Sequence, residues 1–317
     1  MATKGVFVLL SYMVKRLGYS LVTLWTVVTL TFFLMHLVPG NPFDKEGRMP
    51  PEIFENLMKY YHLDQPLLLQ YIHYLKSLLV FDLGPSIKSD VLTVNDMIVQ
   101  GFPVSLQLGI DALILAVFFG ILLGTFAALY HNRWQDYLSM VVAIIGISVP
   151  GFILGTLLIH YLAVGLGLFP PALWGTWQHA VLPSFALSFM PMAYIARLMR
   201  SSMLEVLEQD YILTAKAKGL RGSVVIVKHA LRNALLPVVT VLGVIAANLV
   251  TGSFIIEHLF GIPGMGEMFV KSIFTRDYPA IMGSTVFYSG ILIFLLFVID
   301  LVYTWIDPRI KLAGRDS

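Results

Sequence analysis

An all-α integral membrane fold is predicted by three observations. Hydrophobic residues make up 57% of the 317-residue chain and charged residues only 13%. Six apolar runs have membrane length, and Lys and Arg are concentrated in particular connections between them. A hydrocarbon core of about 30 Å needs about 20 apolar residues at about 1.5 Å each. With no water in that core, each run has to satisfy its own backbone hydrogen bonds, and a helix does so within one segment. The formal charge of +2 is too small to suggest nucleic acid. The absence of Cys removes disulfides, thiolate metal sites and thiol nucleophiles.

The first run, 14–38, follows Lys4, Lys15 and Arg16. It is too long for the apolar core of a secretory signal and ends in Val38-Pro39-Gly40-Asn41-Pro42 rather than a small-residue cleavage site, so an uncleaved span is expected. Segment 39–101 is expected to be external and helical. Pro50-Pro51 opens one stretch to Tyr61, and Asp64-Gln65-Pro66 introduces a second with Leu67, Tyr71, Tyr74 and Leu78 at helical spacing. It forms either a compact cap on the span ends or part of a docking face for an external partner.

The remaining spans are read at 102–130, 137–162, 180–203, 234–256 and 279–305, a five-helix core over 102–305, with a tail over 306–317. Pro150-Gly151, Pro183, Pro191 and Pro237 interrupt them, each removing a backbone bond, either for packing or beside a water-accessible path. Lys4, Lys15, Arg16, Arg133, the group from Arg197 to Arg232, and Arg309, Lys311 and Arg315 all fall on one side. By the positive-inside rule that side is cytoplasmic and holds both termini. Five basic residues in 39–101 lie opposite, offset by eight acidic ones in a loop long enough to escape the rule.

Between the fourth and fifth spans, segment 204–233 is basic and partly amphipathic. Leu204, Leu207, Tyr211 and Ala215 recur at helical spacing, with Glu205, Glu208, Lys216 and Lys218 on other faces. Gly219 is placed to end this helix in the left-handed conformation; Leu220-Arg221-Gly222-Ser223 then turns into a second helical stretch, Val224 to Asn233. A helix this short is marginal unless something receives its apolar stripe, either a protein partner or lipid headgroups.

Ionisable groups within the spans are few. Asp111 either reaches water near an interface or faces a pathway beside Gln107, one helical turn earlier. Asn248 and His160 serve either interhelical hydrogen bonds or cargo contact. Trp174, Trp177 and Trp305 suit interfacial anchoring. Gly261-Ile262-Pro263-Gly264-Met265-Gly266 follows no strand and is read as a re-entrant or surface turn rather than a nucleotide loop. No phosphate loop, metalloprotease helix or nucleophile elbow occurs, so neither catalysis nor a bound metal or cofactor is expected.

Segment 204–233 resembles the cytoplasmic coupling loop of ABC importer permeases. Thr214-Ala215 stand at the family's small positions and Gly219 at its Gly, but Leu231-Arg232 replaces the usual Leu-Pro. His229 through Pro237, Tyr61-His62-Leu63-Asp64-Gln65-Pro66, Phe81-Asp82-Leu83-Gly84-Pro85-Ser86, Gly252-Ser253 through Gly266, Arg276-Asp277-Tyr278-Pro279, and Asp300 with Asp307-Pro308-Arg309 are similar to the first permease subunit of oligopeptide and dipeptide importers. The resemblance implies a second homologous permease subunit, two cytoplasmic ATPases carrying ATP and Mg, and an external peptide-binding protein. It also implies coupling residues at Leu207, Glu208, Asp210, Tyr211, Thr214, Ala215, Lys216, Ala217, Gly219, Leu220 and Arg221. Gln107, Asp111 and Asn248 are the pathway candidates. The competing expectation is a self-contained secondary transporter or channel driven by an ion gradient, for which the spans offer few deep charges beyond Asp111 and Asp300.

Overall fold

In the computed structural model, the described residues are 2–37, 55, 58–59, 63–89 and 91–306. Of the expected helix at 50–61 only Glu55, Met58 and Lys59 are described, each helical; the motif residues Tyr61 and His62 and the tail from Asp307 lie outside the described residues. Eleven helices are named here: α1 Ala2–Leu37, α2 Leu67–Leu79, α3 Val94–Leu129, α4 Trp134–Ser148, α5 Gly151–Gly165, α6 Trp177–Leu207, α7 Asp210–Ala217, α8 Gly222–Val250, α9 Phe254–Leu259, α10 Met265–Thr275 and α11 Tyr278–Ile306. Among the described residues, strand pairing is limited to an isolated bridge between Pro85 and Thr93. α1, α3, α6, α8 and α11 are each long and apolar enough to cross a membrane, and α4 with α5 supplies a sixth span if the bent pair counts as one.

The chain divides into two units. One contains residues 1–102 and 268–297. Here Tyr71 and Tyr74 of α2 pack their rings against Phe32 of α1 at centroid distances of 5.3 and 5.6 Å. The Thr29 and Tyr71 hydroxyls meet at 2.7 Å, and His36 Nε2 meets Gln70 Oε1 at 3.0 Å. The Ser86 hydroxyl donates to Asp277, whose other oxygen accepts from the Ile87 amide. The spacing read at Leu67, Tyr71, Tyr74 and Leu78 is therefore a helix, and its aromatic positions pack on the first span.

The other unit contains residues 103–267 and 298–317. Its helices approach closely through small residues, as membrane helices without a hydrophobic drive between them tend to do. A methyl placed on Gly124 would stand 2.4 Å from the Ala196 carbonyl oxygen, and one on Gly109 2.3 Å from that of Leu249. Met192, Ile195, Met199 and Met203 of α6 form the spine of one buried cluster with α3, α7 and α8. Leu108, Leu182, Ala186, Phe260 and Ile262 belong to a second.

Two expected spans are corrected. The run at 137–162 is not one straight helix: α4 ends at Ser148, α5 starts at Gly151, and their axes differ by 106°. Pro150 lacks an N–H and forces the residue before it out of the helical region, and Val149 is extended at φ −91°, ψ 118°. The fifth span is not 234–256. α8 starts at Gly222, passes through a π-helical stretch from Val225 to Leu231, and ends at Val250, with Gly252 at φ +84°. Arg232, where the related motif has Pro, retains its amide N–H, so the expected second stretch and the span fuse into one helix. Pro183, Pro191 and Pro237 stay inside continuous helices.

Candidate functional site: a two-faced helix, a cavity and a buried carboxylate

α6 ends at Leu207, Glu208 and Gln209 leave the helix, and α7 restarts at Asp210. The break resets the helical phase. The stripe counted across it from Leu204 to Ala215 therefore does not lie on one face. Leu204 and Leu207 are partly buried, the inward residues of α7 are Ile212 and Ala215, and Tyr211 is turned out, its hydroxyl accepting from Asn233 Nδ2 at 2.8 Å. Ile212 and Ala215 join Met203, Val225 and Ala230 in the buried cluster. Ala215 is small, which suits close packing of a one-sided helix.

The opposite face of α7 is free of the chain's own core. Asp210, Thr214, Lys216 and Ala217 are exposed, as are Glu208, Gly219, Leu220 and Arg221 beside it. Leu213, which the sequence reading passed over, is 54% exposed at the centre of this face. Gly219 sits at φ +75°, its amide donating to the Lys216 carbonyl and that of Leu220 to Ala215. This is the left-handed helix stop expected of it.

An ion pair holds the stem of this segment. Arg200 donates from Nε to Asp136 Oδ1 at 2.6 Å and from Nη2 to Oδ2 at 2.7 Å. The Asn132 amide also donates to Oδ2, and His131 Nδ1 lies 3.1 Å from it. Asp136 is 2% exposed. The fork of two parallel bonds fixes orientation as well as charge, joining the first turn of α4 to the last turns of α6. Sequence reading used Arg133 and Arg200 only as markers of sidedness; a partner 64 residues away leaves no local signal.

A cavity of about 620 Å³ lies among α4, α5, α6, α8 and α9, against the breaks between α4 and α5 and between α8 and α9. Gly151 and Phe152, Pro191 and Tyr194, Asn248, and every residue from Gly252 to Ile256 line it. Of the three pathway candidates, only Asn248 is brought here. Its Nδ2 bonds within its own helix, to the Val244 carbonyl at 2.9 Å. Gln107 is exposed and Asp111 half-buried on α3, outside the lining. His160 is exposed in the π-helical end of α5 and packs edge-on to Tyr161.

The turn at Gly261–Gly266 is anchored from within: Ile262 and Met265 are fully buried, with Phe260 beside them, while Gly261 and Pro263 are exposed. Beside it lies Glu257, fully buried. Its Oε2 accepts from Ser105 Oγ at 2.9 Å and the Gly266 amide at 2.7 Å, and its Oε1 from the Ser253 amide at 3.3 Å. Ser105 Oγ in turn accepts from the Met265 amide at 2.9 Å. Burial pushes the Glu257 carboxyl above its ordinary value, while bonds from Gly266, Ser105, Ser253 and Glu267 oppose the rise.

Comparison with known proteins gives this architecture a family. Residues 120–312 match the model described as binding-protein-dependent transport system inner membrane component, and residues 9–109 match the N-terminal model of such membrane components. The chain belongs to this family. It is a multi-pass inner membrane protein, and membership implies work alongside other transporter subunits. Dipeptide transport system permease protein DppB of Bacillus subtilis (strain 168) is 58% identical over 304 residues, spanning 96% of this chain and 99% of that protein. Oligopeptide transport system permease protein OppB of Haemophilus influenzae is 43% identical over 305 residues, spanning 96% and 100%. A crystal structure of an amino acid ABC transporter with histidines shares the fold at a TM-score of 0.52 and 14% identity, over 66% of this chain and 93% of that one.

Proposed function

We propose that the chain is the membrane-spanning permease subunit of an ATP-driven peptide importer, itself without catalytic activity. It would form half of the translocation pathway and pass ATPase motion into it through α7. The partners in this reading are a second, homologous permease subunit, two cytoplasmic ATPases that bind ATP and Mg, and an external peptide-binding protein. Both termini and α7 lie on the cytoplasmic side, where the basic residues from Arg197 to Arg232 are concentrated.

One observation carries the reading: α7 is two-faced. Ile212 and Ala215 fasten it to the permease core, while Asp210, Leu213, Thr214 and Ala217 remain outside as a docking face. Motion imposed on that face reaches α6 through the break at Glu208–Gln209 and α8 through the contact with Val225 and Ala230. Such switching needs two packings close in free energy, biased by nucleotide and by the binding protein. The cavity holding Asn248 is this subunit's share of the pathway; Gln107 and Asp111, on α3, contribute where the second permease subunit closes against that helix. A half-buried carboxylate in an apolar helix is costly against lipid, which favours a covered or hydrated setting for Asp111. The peptide cargo follows the relatives' names and their near-complete coverage of this chain.

Uptake of a labelled dipeptide by cells lacking only this chain, complemented with wild type or Gly219→Pro, tests the reading. Wild type restores ATP-dependent uptake. Gly219→Pro, which cannot adopt φ +75°, abolishes uptake while remaining in the membrane and leaves partner hydrolysis unresponsive to peptide. Wild-type uptake by the variant, or uptake without ATP, contradicts it.

A further inference from the structure

The coupling and pathway roles leave without a task the polar cluster that links Glu257 to Ser105, Met265 and Gly266 behind the cavity wall. Glu257 is at its centre. Its carboxylate grips the chain at both ends of the loop: the Ser253 amide on one side, the Gly266 amide on the other. Through Ser105 it also holds the Met265 amide and ties the loop to α3. Three glycines make room for it. A Cβ on Gly252, Gly264 or Gly266 would fall 2.6, 2.2 or 2.9 Å from a Glu257 oxygen.

Everything the carboxylate touches is a neutral N–H or O–H donor; among the described residues it forms no ion pair. A buried charge without a counter-ion is costly, and a loop that only had to be packed would be held as well by apolar groups. What three converging donors add is direction. They tie Ser253, inside the stretch Gly252 to Ile256 whose five residues line the cavity, to Gly266 and to Ser105 of α3 through the one carboxylate that follows that stretch. The back of the loop is fixed separately. The Leu173 amide donates to the Phe260 carbonyl at 2.8 Å, and Phe260 and Ile262 pack with Leu108, Leu182 and Ala186.

We propose that Glu257 is a positioning residue for the cargo pathway: its carboxylate sets where the Gly252–Ile256 wall stands along the cavity, and so how well cargo fits. This rests on reading the cavity as pathway. Glu257 itself touches no cargo, being enclosed behind the wall it places.

The absence of Cys makes a clean test possible. Ile255→Cys, on the cavity wall and 57% exposed, reports the wall; Val91→Cys, 86% exposed and in the other unit, is the control. Both are labelled in the complete transporter in native membranes, after uptake has been shown to need this chain and ATP. Failure at that first step refutes the permease reading itself, and so is distinguishable from a failure of the positioning role. Adding Glu257→Ala is expected to speed labelling of Ile255→Cys about tenfold with Val91→Cys unaltered, as loss of a buried hydrogen-bond cluster opens the wall. KM for peptide rises about tenfold with a smaller fall in Vmax. Ser105→Ala, which removes one donor, moves both readouts the same way by less. Equal change at both cysteines, no change at either, or a wild-type KM in Glu257→Ala overturns the proposal. So does loss of Glu257→Ala from the membrane combined with wild-type behaviour of Ser105→Ala, since the residue then serves folding only.

Discussion

Asp136 and Glu257 are both buried carboxylates in the same unit, yet they are satisfied in opposite ways. Asp136 meets a guanidinium on another helix, and that guanidinium is about a quarter exposed. Glu257 meets only backbone amides and one hydroxyl, with three glycines closed around it. The first is a joint between elements distant in sequence, reaching the edge of the protein, where a long side chain can shift and remake its bonds. The second has no slack. The difference separates the part of the molecule suited to move, around α6 and α7, from the part suited to stay fixed, around the cavity wall.

Substitutions at Gly264 are expected to have the largest effect. Gly264→Val would drive a Cβ to 2.2 Å from Glu257 Oε2 and 2.6 Å from Ser105 Oγ, and overpacking joined to a displaced buried charge costs about 3 kcal/mol or more. The variant should be depleted from membranes; a wild-type amount and melting temperature would show that the loop has slack after all. Asp136→Ala comes next, leaving Arg200 without its fork, at a cost of about 3 kcal/mol discounted for the exposed guanidinium. If the joint is made of charge and geometry, Arg200→Lys retains part of the stability and Asp136→Ala little, as thermal unfolding in detergent would report.

Ala215→Leu should destabilise by about 1–3 kcal/mol, because the added volume enters the packed face of α7. Leu213→Ala, on the other face, should change stability by no more than about 0.5 kcal/mol yet lower peptide-driven ATP hydrolysis. Equal stability losses at the two positions would remove the distinction between the faces. The smallest effect is in pH. The Glu257 carboxyl is raised above its ordinary 4.5, so the native protein holds that proton more tightly than the unfolded chain. Its contribution is complete below pH 4.5 and is lost as pH rises through the native value. The melting temperature of wild type should therefore fall relative to Glu257→Gln as pH rises from 4.5. A difference that stays constant with pH would place the carboxyl at its ordinary value.

The apolar runs of the sequence located α6 and α11 to within four residues and the C-terminal ends of α1 and α3 to within one, because length and composition suffice for a span, but α1 and α3 begin twelve and eight residues earlier than expected. The family resemblance, drawn from ordered motifs such as Thr214-Ala215, Gly219 and Gly252 through Gly266, is borne out by the family match over 120–312. The left-handed stop at Gly219 was legible because local conformation alone demands it. What local pattern cannot carry was missed. Pro150 is plain in the sequence, but whether a proline bends a helix or divides it depends on what packs around it, and here the axes part by 106° while Pro183 and Pro191 stay within one helix. Periodicity counted across the break at Glu208–Gln209 put Tyr211 on the inward stripe and left Leu213 out. The Asp136–Arg200 and Ser105–Glu257 pairs join residues 64 and 152 positions apart, where only tertiary structure brings them together.

The claim on which the account turns is that the outward face of α7 seats in an ATP-hydrolysing partner. Leu213→Cys is the only cysteine in its chain. Cross-linked in native membranes, it is predicted to join an ATP-binding subunit, with a yield that differs between the nucleotide-free and ATP-trapped states. Adducts confined to lipid, or absent from that subunit in every nucleotide state, would contradict it.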